Sequence, residues 1–200
     1  MIAGSEEESR ALMMNAAVRV VAEYGMGGFT TKKWAAEAGV AEGSLYYHFK
    51  SKNDLLDQTF LFINREIGAA IGLNTDEKKS LGSVEEVVDV YWRRFYHYLI
   101  AHPDRTKYFL RFRTSTNYRE EIRDTLAETY SGILDAMRDV TLKNGYRKDI
   151  DWVFYWGYVF DATISLAYRV STGSMSSPEN SEEMFLRLLM EGMVTTLKKV

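Results

Sequence analysis

The chain has 200 residues, with 25 Lys and Arg against 28 Asp and Glu; the net charge of −3 excludes an indiscriminate nucleic-acid coat and a polybasic membrane binder. Hydrophobic residues at 46% and charged ones at 26% fit a folded globular protein and are too apolar for disorder. Cysteine is absent, which removes disulfide frameworks, thiolate zinc sites and cysteine nucleophiles together. The opening residues, Met1 to Glu8, are acidic and lack the apolar core of a signal peptide. The most apolar stretch, residues 152–168, is interrupted by Asp161 and falls short of the ~20 residues that span a bilayer. A soluble, cytoplasmic protein without membrane contact is expected.

Helical spacing dominates, and no run alternates as a strand would. Leu12, Met13, Ala16, Ala17, Val20, Val21 and Tyr24 form a first stripe, and Gly25 stands where a left-handed helix end is expected. Residues 32–38 read as a two-turn helix and 42–49 as a second short one. A long helix starts at about Lys52 and carries Leu56, Phe60, Ile63, Ile67 and Ile71. The polar run 74–80 breaks the periodicity. Val84, Val87, Val88, Tyr91, Phe95 and Leu99 mark the next helix, which ends at His102-Pro103 because the residue before proline disfavours helical backbone. A short helix follows over 104–114, and a stripe from Ile122 to Val140 stops near Asn144-Gly145. Residues 147–170 are apolar on nearly every face, 173–178 form a loop, and Met184, Phe185, Leu188, Leu189, Met193 and Leu197 face a last amphipathic helix. The fold class is all-α, with about nine helices.

Between Phe29 and Leu56 the long helices give way to short pieces. Thr30 and Thr31 suit a helix start, since a threonine hydroxyl accepts from an otherwise unpaired N–H. Gly39 supplies a sharp turn, Val40 is the apolar plug between the two short helices, and Ser51-Lys52-Asn53-Asp54 reads as a capping box with Asp in place of Glu. Ala35, Ala38 and Gly39 let the helices cross closely. Two short helices joined by such a turn form a helix-turn-helix, whose second helix enters the major groove of DNA. From Phe29 to Asn53 four lysines face Glu37 and Glu42, a local excess of +2 within an acidic chain.

The run from Thr30 to Lys52 and on to Leu55, with its Ala-Gly-Val turn, Gly-Ser-Leu-Tyr, His-Phe and Ser-Lys, resembles the DNA-binding signature of the TetR family of bacterial transcription regulators. The resemblance implies that Thr31, Tyr46, His48 and Lys52 touch phosphates and that Glu42, Gly43, Ser44 and Tyr47 face bases, with Thr30 and Lys32 completing the DNA-facing set. A lysine at a helix start neutralises a phosphate, hydroxyl donors fix register, and a base-facing Glu42 accepts from a cytosine amino group. Tyr46 also has a packing role open to it, since its ring is apolar and only its tip is polar. Two positions depart from the pattern. Trp34 stands where isoleucine or leucine is usual, so local packing differs, and Ala41 where a serine cap is common; Ala41 and Gly43 make the reading helix intrinsically weak.

The resemblance further implies a helix-turn-helix domain over 1–51 and a helical ligand-binding and dimerisation domain over 52–200. The expected function is that of a homodimeric regulator, most simply a repressor. It would bind a palindromic double-stranded operator and be released by a small apolar or aromatic effector. Trp, Tyr and Phe number 4, 13 and 10, and seventeen of them fall between Val90 and Phe160. Tyr91, Trp92, Phe95, Tyr96, Tyr108, Phe109, Phe112, Trp152, Tyr155 and Trp156 are the candidate effector-binding residues, and a filled aromatic core accounts for them equally well. Arg93, Arg94, Arg105, Lys107, Arg111 and Arg113 offer either a grip on a ligand carboxylate or a solvated surface. Asp161 has a cationic ligand or a neighbouring arginine open to it. A helical small-ligand carrier or a protein-interaction module is the alternative. An enzyme is not expected, and neither cofactor nor metal is: the three histidines show no ligand spacing, and no phosphate-cradling glycine loop occurs.

Overall fold

The computed structural model describes residues 6–145, 152–175 and 181–197, apart from the side chains of 137, 152, 153, 155, 156 and 193–197. Among these residues it contains ten α-helices, one 3-10 turn and no strand. The helices are α1 Glu6–Gly28, α2 Thr31–Ala38, α3 Leu45–His48, α4 Lys52–Ile71 and α5 Thr75–Ser80, followed by α6 Val84–Ala101, α7 Pro103–Arg113, α8 Glu120–Lys143, α9 Trp152–Ser171 and α10 Ser181–Leu197. No helix among the described residues is long and apolar enough to cross a membrane.

The all-α expectation holds, and the helix beyond the expected nine is α5, which lies inside the polar run read as a break. It owes nothing to an apolar stripe. The Asn74 side chain accepts from the backbone N–H of Asp76 (3.0 Å) and Glu77 (2.9 Å), while Glu77 accepts from the N–H of Asn74 at 2.9 Å. Arg94 of α6 donates to both Glu77 and the carbonyl of Gly72. The backbone bond from Asn74, and then Arg94, hold the Glu77 carboxyl below its ordinary range. A carboxyl lowered in this way stabilises while ionised, so its contribution fades as pH falls through that lowered value. Replacing Glu77 by glutamine, which removes the charge that the Asn74 N–H and Arg94 stabilise, is expected to lower the melting temperature near neutral pH and to matter less in acid. Thermal melts at two pH values check both halves of this expectation.

Two helix ends also differ from expectation. Gly25 has the anticipated positive φ of 76°, but its ψ of 173° is extended, and one more helical turn follows to Gly28. Proline opens α7 because the first helical N–H has no intrahelical partner to lose.

The described chain divides into two compact units, residues 6–66 with 102–126 and residues 67–101 with 127–197. In the first, α1 packs on α2 and α7. The Phe60 ring of α4 stacks on Phe109 and Phe112 of α7, with centroids 4.6 and 4.3 Å away, and meets Tyr118 edge-on. Tyr108 is fully buried and donates its hydroxyl to the carbonyl of Leu56 at 2.7 Å. Arg105 ties α7 to Asn15 and Glu66, and Arg111 donates to the carbonyl of Val21.

In the second unit α6 packs on α9 and α10. Trp92 lies parallel to Tyr96 at 5.0 Å and donates its indole N–H to Thr163 at 3.0 Å. Phe95 and Tyr130 both pack against Phe160. Arg93 binds Asp89, Glu182 and Glu183, which fastens the start of α10 to α6. The arginines between 93 and 111 are thus tie points of the fold, partly exposed and each engaged by a partner. Arg113 lies over the Tyr118 ring at 5.0 Å, Lys107 pairs with Asp104 at 3.3 Å, and Asp161 is exposed.

Candidate nucleic-acid interface

Thr30 opens α2 from an extended backbone, and its hydroxyl accepts from the N–H of Lys33 at 3.2 Å. Gly39 closes α2 in the left-handed conformation (φ 67°, ψ 31°), and Val40 donates back to the carbonyl of Ala35 at 3.1 Å. A side chain at residue 39 would strain that turn. Val40 itself is only half-buried, whereas Leu45 and Phe49 lie in the core. Trp34, the departure at a core position, is fully buried and donates its indole N–H to the carbonyl of Met13 at 2.9 Å. The larger ring is therefore accommodated against α1 with its one polar atom satisfied.

The expected single helix over 42–49 is split in two. Residues Glu42–Ser44 form a 3-10 turn and only Leu45–His48 are α-helical. Ala41 makes no side-chain cap bond. With no cap at Ala41 and little helix propensity at Gly43, the first turn tightens to the Ser44 N–H to Ala41 carbonyl bond at 2.9 Å. Ser51 accepts from the N–H of Asp54 at 3.1 Å, as a capping box requires. The Asp54 carboxylate, shorter than the usual glutamate, binds the N–H of Lys50 at 2.8 Å in place of that of Ser51.

The ten candidate DNA-facing residues come together on this one stretch of unit one. Tyr46 and Tyr47 are 67% and 83% exposed, which decides against a packing role for Tyr46. Lys32, Glu42 and Gly43 are exposed, and Ser44 and His48 half-buried. Thr31 donates its hydroxyl to the Glu42 carboxylate, which joins the start of α2 to the start of the reading segment. Lys52 is half-buried, donates to the carbonyl of Phe29 at 3.0 Å and lies above that ring. One of its three N–H donors is thereby occupied. Arg10 was not legible in the sequence as part of this surface. It lies 38 positions from His48, yet donates to the His48 carbonyl and covers the Phe49 ring at 4.6 Å.

The candidate effector residues divide between the units. Tyr108, Phe109 and Phe112 are fully buried in the first; Tyr91, Trp92, Phe95 and Tyr96 are buried in the second. The side chains of Trp152, Tyr155 and Trp156 lie outside the described residues. Among the described residues no three His, Asp or Glu side chains are grouped so as to hold a metal ion.

Residues 13–59 match the family described as bacterial regulatory proteins, tetR family. Over this segment the chain is similar to TetR-family regulators. Over 191 residues, 93% of this chain and 91% of the other, it is 23% identical to the transcriptional repressor KstR2 of Rhodococcus jostii. A TetR-family transcription regulator from Marinobacter aquaeolei shares the fold at a TM-score of 0.77 and 21% identity, over 92% of this chain and 95% of that one. FadR of Bacillus subtilis, solved with stearoyl-CoA, is similar at a TM-score of 0.65 and 20% identity, over 90% and 96% of the two chains. The matched residues include both short helices, α2 and α3.

Proposed function

We propose that this chain acts in the cytoplasm as a homodimeric TetR-type repressor, with residues 1–51 reading DNA and 52–200 binding the effector and the second subunit. The carrying observation is the exposed Tyr46-Tyr47 pair beside Glu42, Gly43 and Lys32, a projecting polar surface held on a core of Trp34, Leu45 and Phe49. Phosphates are met by Thr31, Tyr46, His48 and Lys52 and bases by Glu42, Gly43, Ser44 and Tyr47. Glu42 has to leave Thr31 to do so, which frees the threonine hydroxyl for a phosphate at the same moment.

One short reading segment contacts too few bases for a unique site. Two of them, one DNA turn apart in a dimer, read a palindrome. The face for the second subunit is supported by α9 and α10: Phe154 and Tyr158 are 77% and 65% exposed, Met184 and Leu188 59% and 62%, each pair one helical turn apart. Exposed apolar side chains of this size are the expected currency of an isologous contact. An effector that prefers one spacing of the two heads shifts the operator equilibrium by that preference alone. Long-chain acyl-CoA thioesters are the first probes, since FadR was solved with stearoyl-CoA.

Footprinting on the region upstream of the protein's own gene tests this reading: sequence-selective protection is expected, and its absence even at low salt overturns it. Lys52→Ala is expected to weaken binding to all sequences alike and to reduce the salt slope by about 1. Lys52→Arg, which keeps the cation, is expected to retain most of the affinity. A loss confined to one base position would contradict the phosphate role.

A further inference from the structure

Asn64 stands on the buried face of α4 and is 1% exposed, yet neither its Oδ1 nor its Nδ2 has a hydrogen-bond partner among the described residues. An amide brings one acceptor and two donors, and folded proteins satisfy nearly all such groups when they bury them. The side chains one turn away on the same face, Phe60 and Ile67, are fully buried and apolar, as is Ile63. Thr59, slightly more than a turn away, spends its hydroxyl on the carbonyl of Leu55 at 2.7 Å. On α4 itself, then, no neighbouring side chain on that face offers a polar partner to a buried water, which needs two to four of them. A small molecule carries its polar group with it.

We infer that Asn64 recognises the effector of this regulator, an otherwise apolar molecule whose polar group offers a carbonyl to Nδ2 and an N–H or O–H to Oδ1. The inference rests on the ligand-responsive reading above. An amide-type group meets the requirement fully. An ester or thioester meets half of it, and an ionised carboxylate finds no positive charge in the Asn64 side chain. The location also matters. α4 begins at Lys52, and Asn64 lies twelve residues along it, about 18 Å by helix rise. A contact made or lost at Asn64 therefore bears on the same helix that presents a phosphate-facing lysine.

The test uses the full chain, two variants and two probes. Asn64→Leu keeps the branch at Cγ without polar atoms, and Asn64→Val guards against crowding by the larger leucine. Decanamide supplies a carbonyl with a donor; methyl decanoate keeps the chain and the carbonyl but has no donor. Without any added compound, at least one variant is expected to melt about 2–4 °C above the wild type, since an unpaired amide has been removed. The wild type is expected to gain more from decanamide than from methyl decanoate, and that advantage is expected to vanish in the variants. Both variants melting below the wild type would show a structural polar contact and overturn the assignment. So would equal or absent shifts with the two probes in the wild type, or an amide advantage kept in the variants. Footprints keep the two readings apart. If neither wild type nor variant protects DNA, the regulator reading fails while the melts still decide the role of Asn64.

Discussion

Trp34→Ala is expected to melt the reading head and abolish DNA binding. Trp34 is fully buried, and truncating a buried tryptophan costs about 3–5 kcal/mol in lost transfer energy and residual cavity. The indole N–H bond to Met13 adds roughly 1 kcal/mol, and it joins α2 to α1 alongside the exposed Arg19–Glu37 ion pair. A domain of this kind has about 5–15 kcal/mol of stability in total, so one substitution removes a large share of it. Trp34→Phe keeps most of the ring volume and is expected to fold, with a loss of about 1–2 kcal/mol. Denaturant melts of the three proteins check the order. A Trp34→Ala protein as stable as the wild type would mean that α2 does not depend on α1 for its position.

Leu188→Arg is expected to separate the subunits and lower operator affinity by about 100-fold or more. The leucine is 62% exposed within one chain, so an arginine there leaves the unit's own interior intact. On a twofold axis the same change places two cations against two apolar faces, and burying an unpaired charge costs several kcal/mol. Sedimentation should give a monomer of unchanged helical content, and a gel shift should retain only the weak, sequence-insensitive binding of a single head. A variant that stays dimeric, or a monomer that holds the operator as tightly as the wild type, would remove α9 and α10 from the proposed interface.

Periodicity located the long helices because α4, α6 and α8 each bury one stripe. It failed at α5, which is held by a capping box and by Arg94 and buries no side chain of its own. The reading segment was legible in its composition and misread in its geometry. Ala41 and Gly43 announced a weak helix, but whether the first turn would fray, tighten or bind a neighbour depended on Thr31, eleven positions earlier. The arginines between 93 and 113 defeated the sequence for a similar reason. A cation beside aromatics looks alike whether it awaits a ligand or ties two helices, and Arg93 closes its bonds 89 and 90 residues away.

The opening charge balance argued against nucleic acid, and only the local excess around the helix-turn-helix reversed that reading. By itself the sequence determined the helical class and the helix-turn-helix motif, because these follow from local spacing and a contiguous signature. The tertiary structure decided the splitting of the reading helix, the division of the aromatics between two interiors, the use of the arginines as ties and the unpartnered amide of Asn64. Each of these depends on which distant groups meet, and meeting is a property of packing that no window of sequence contains.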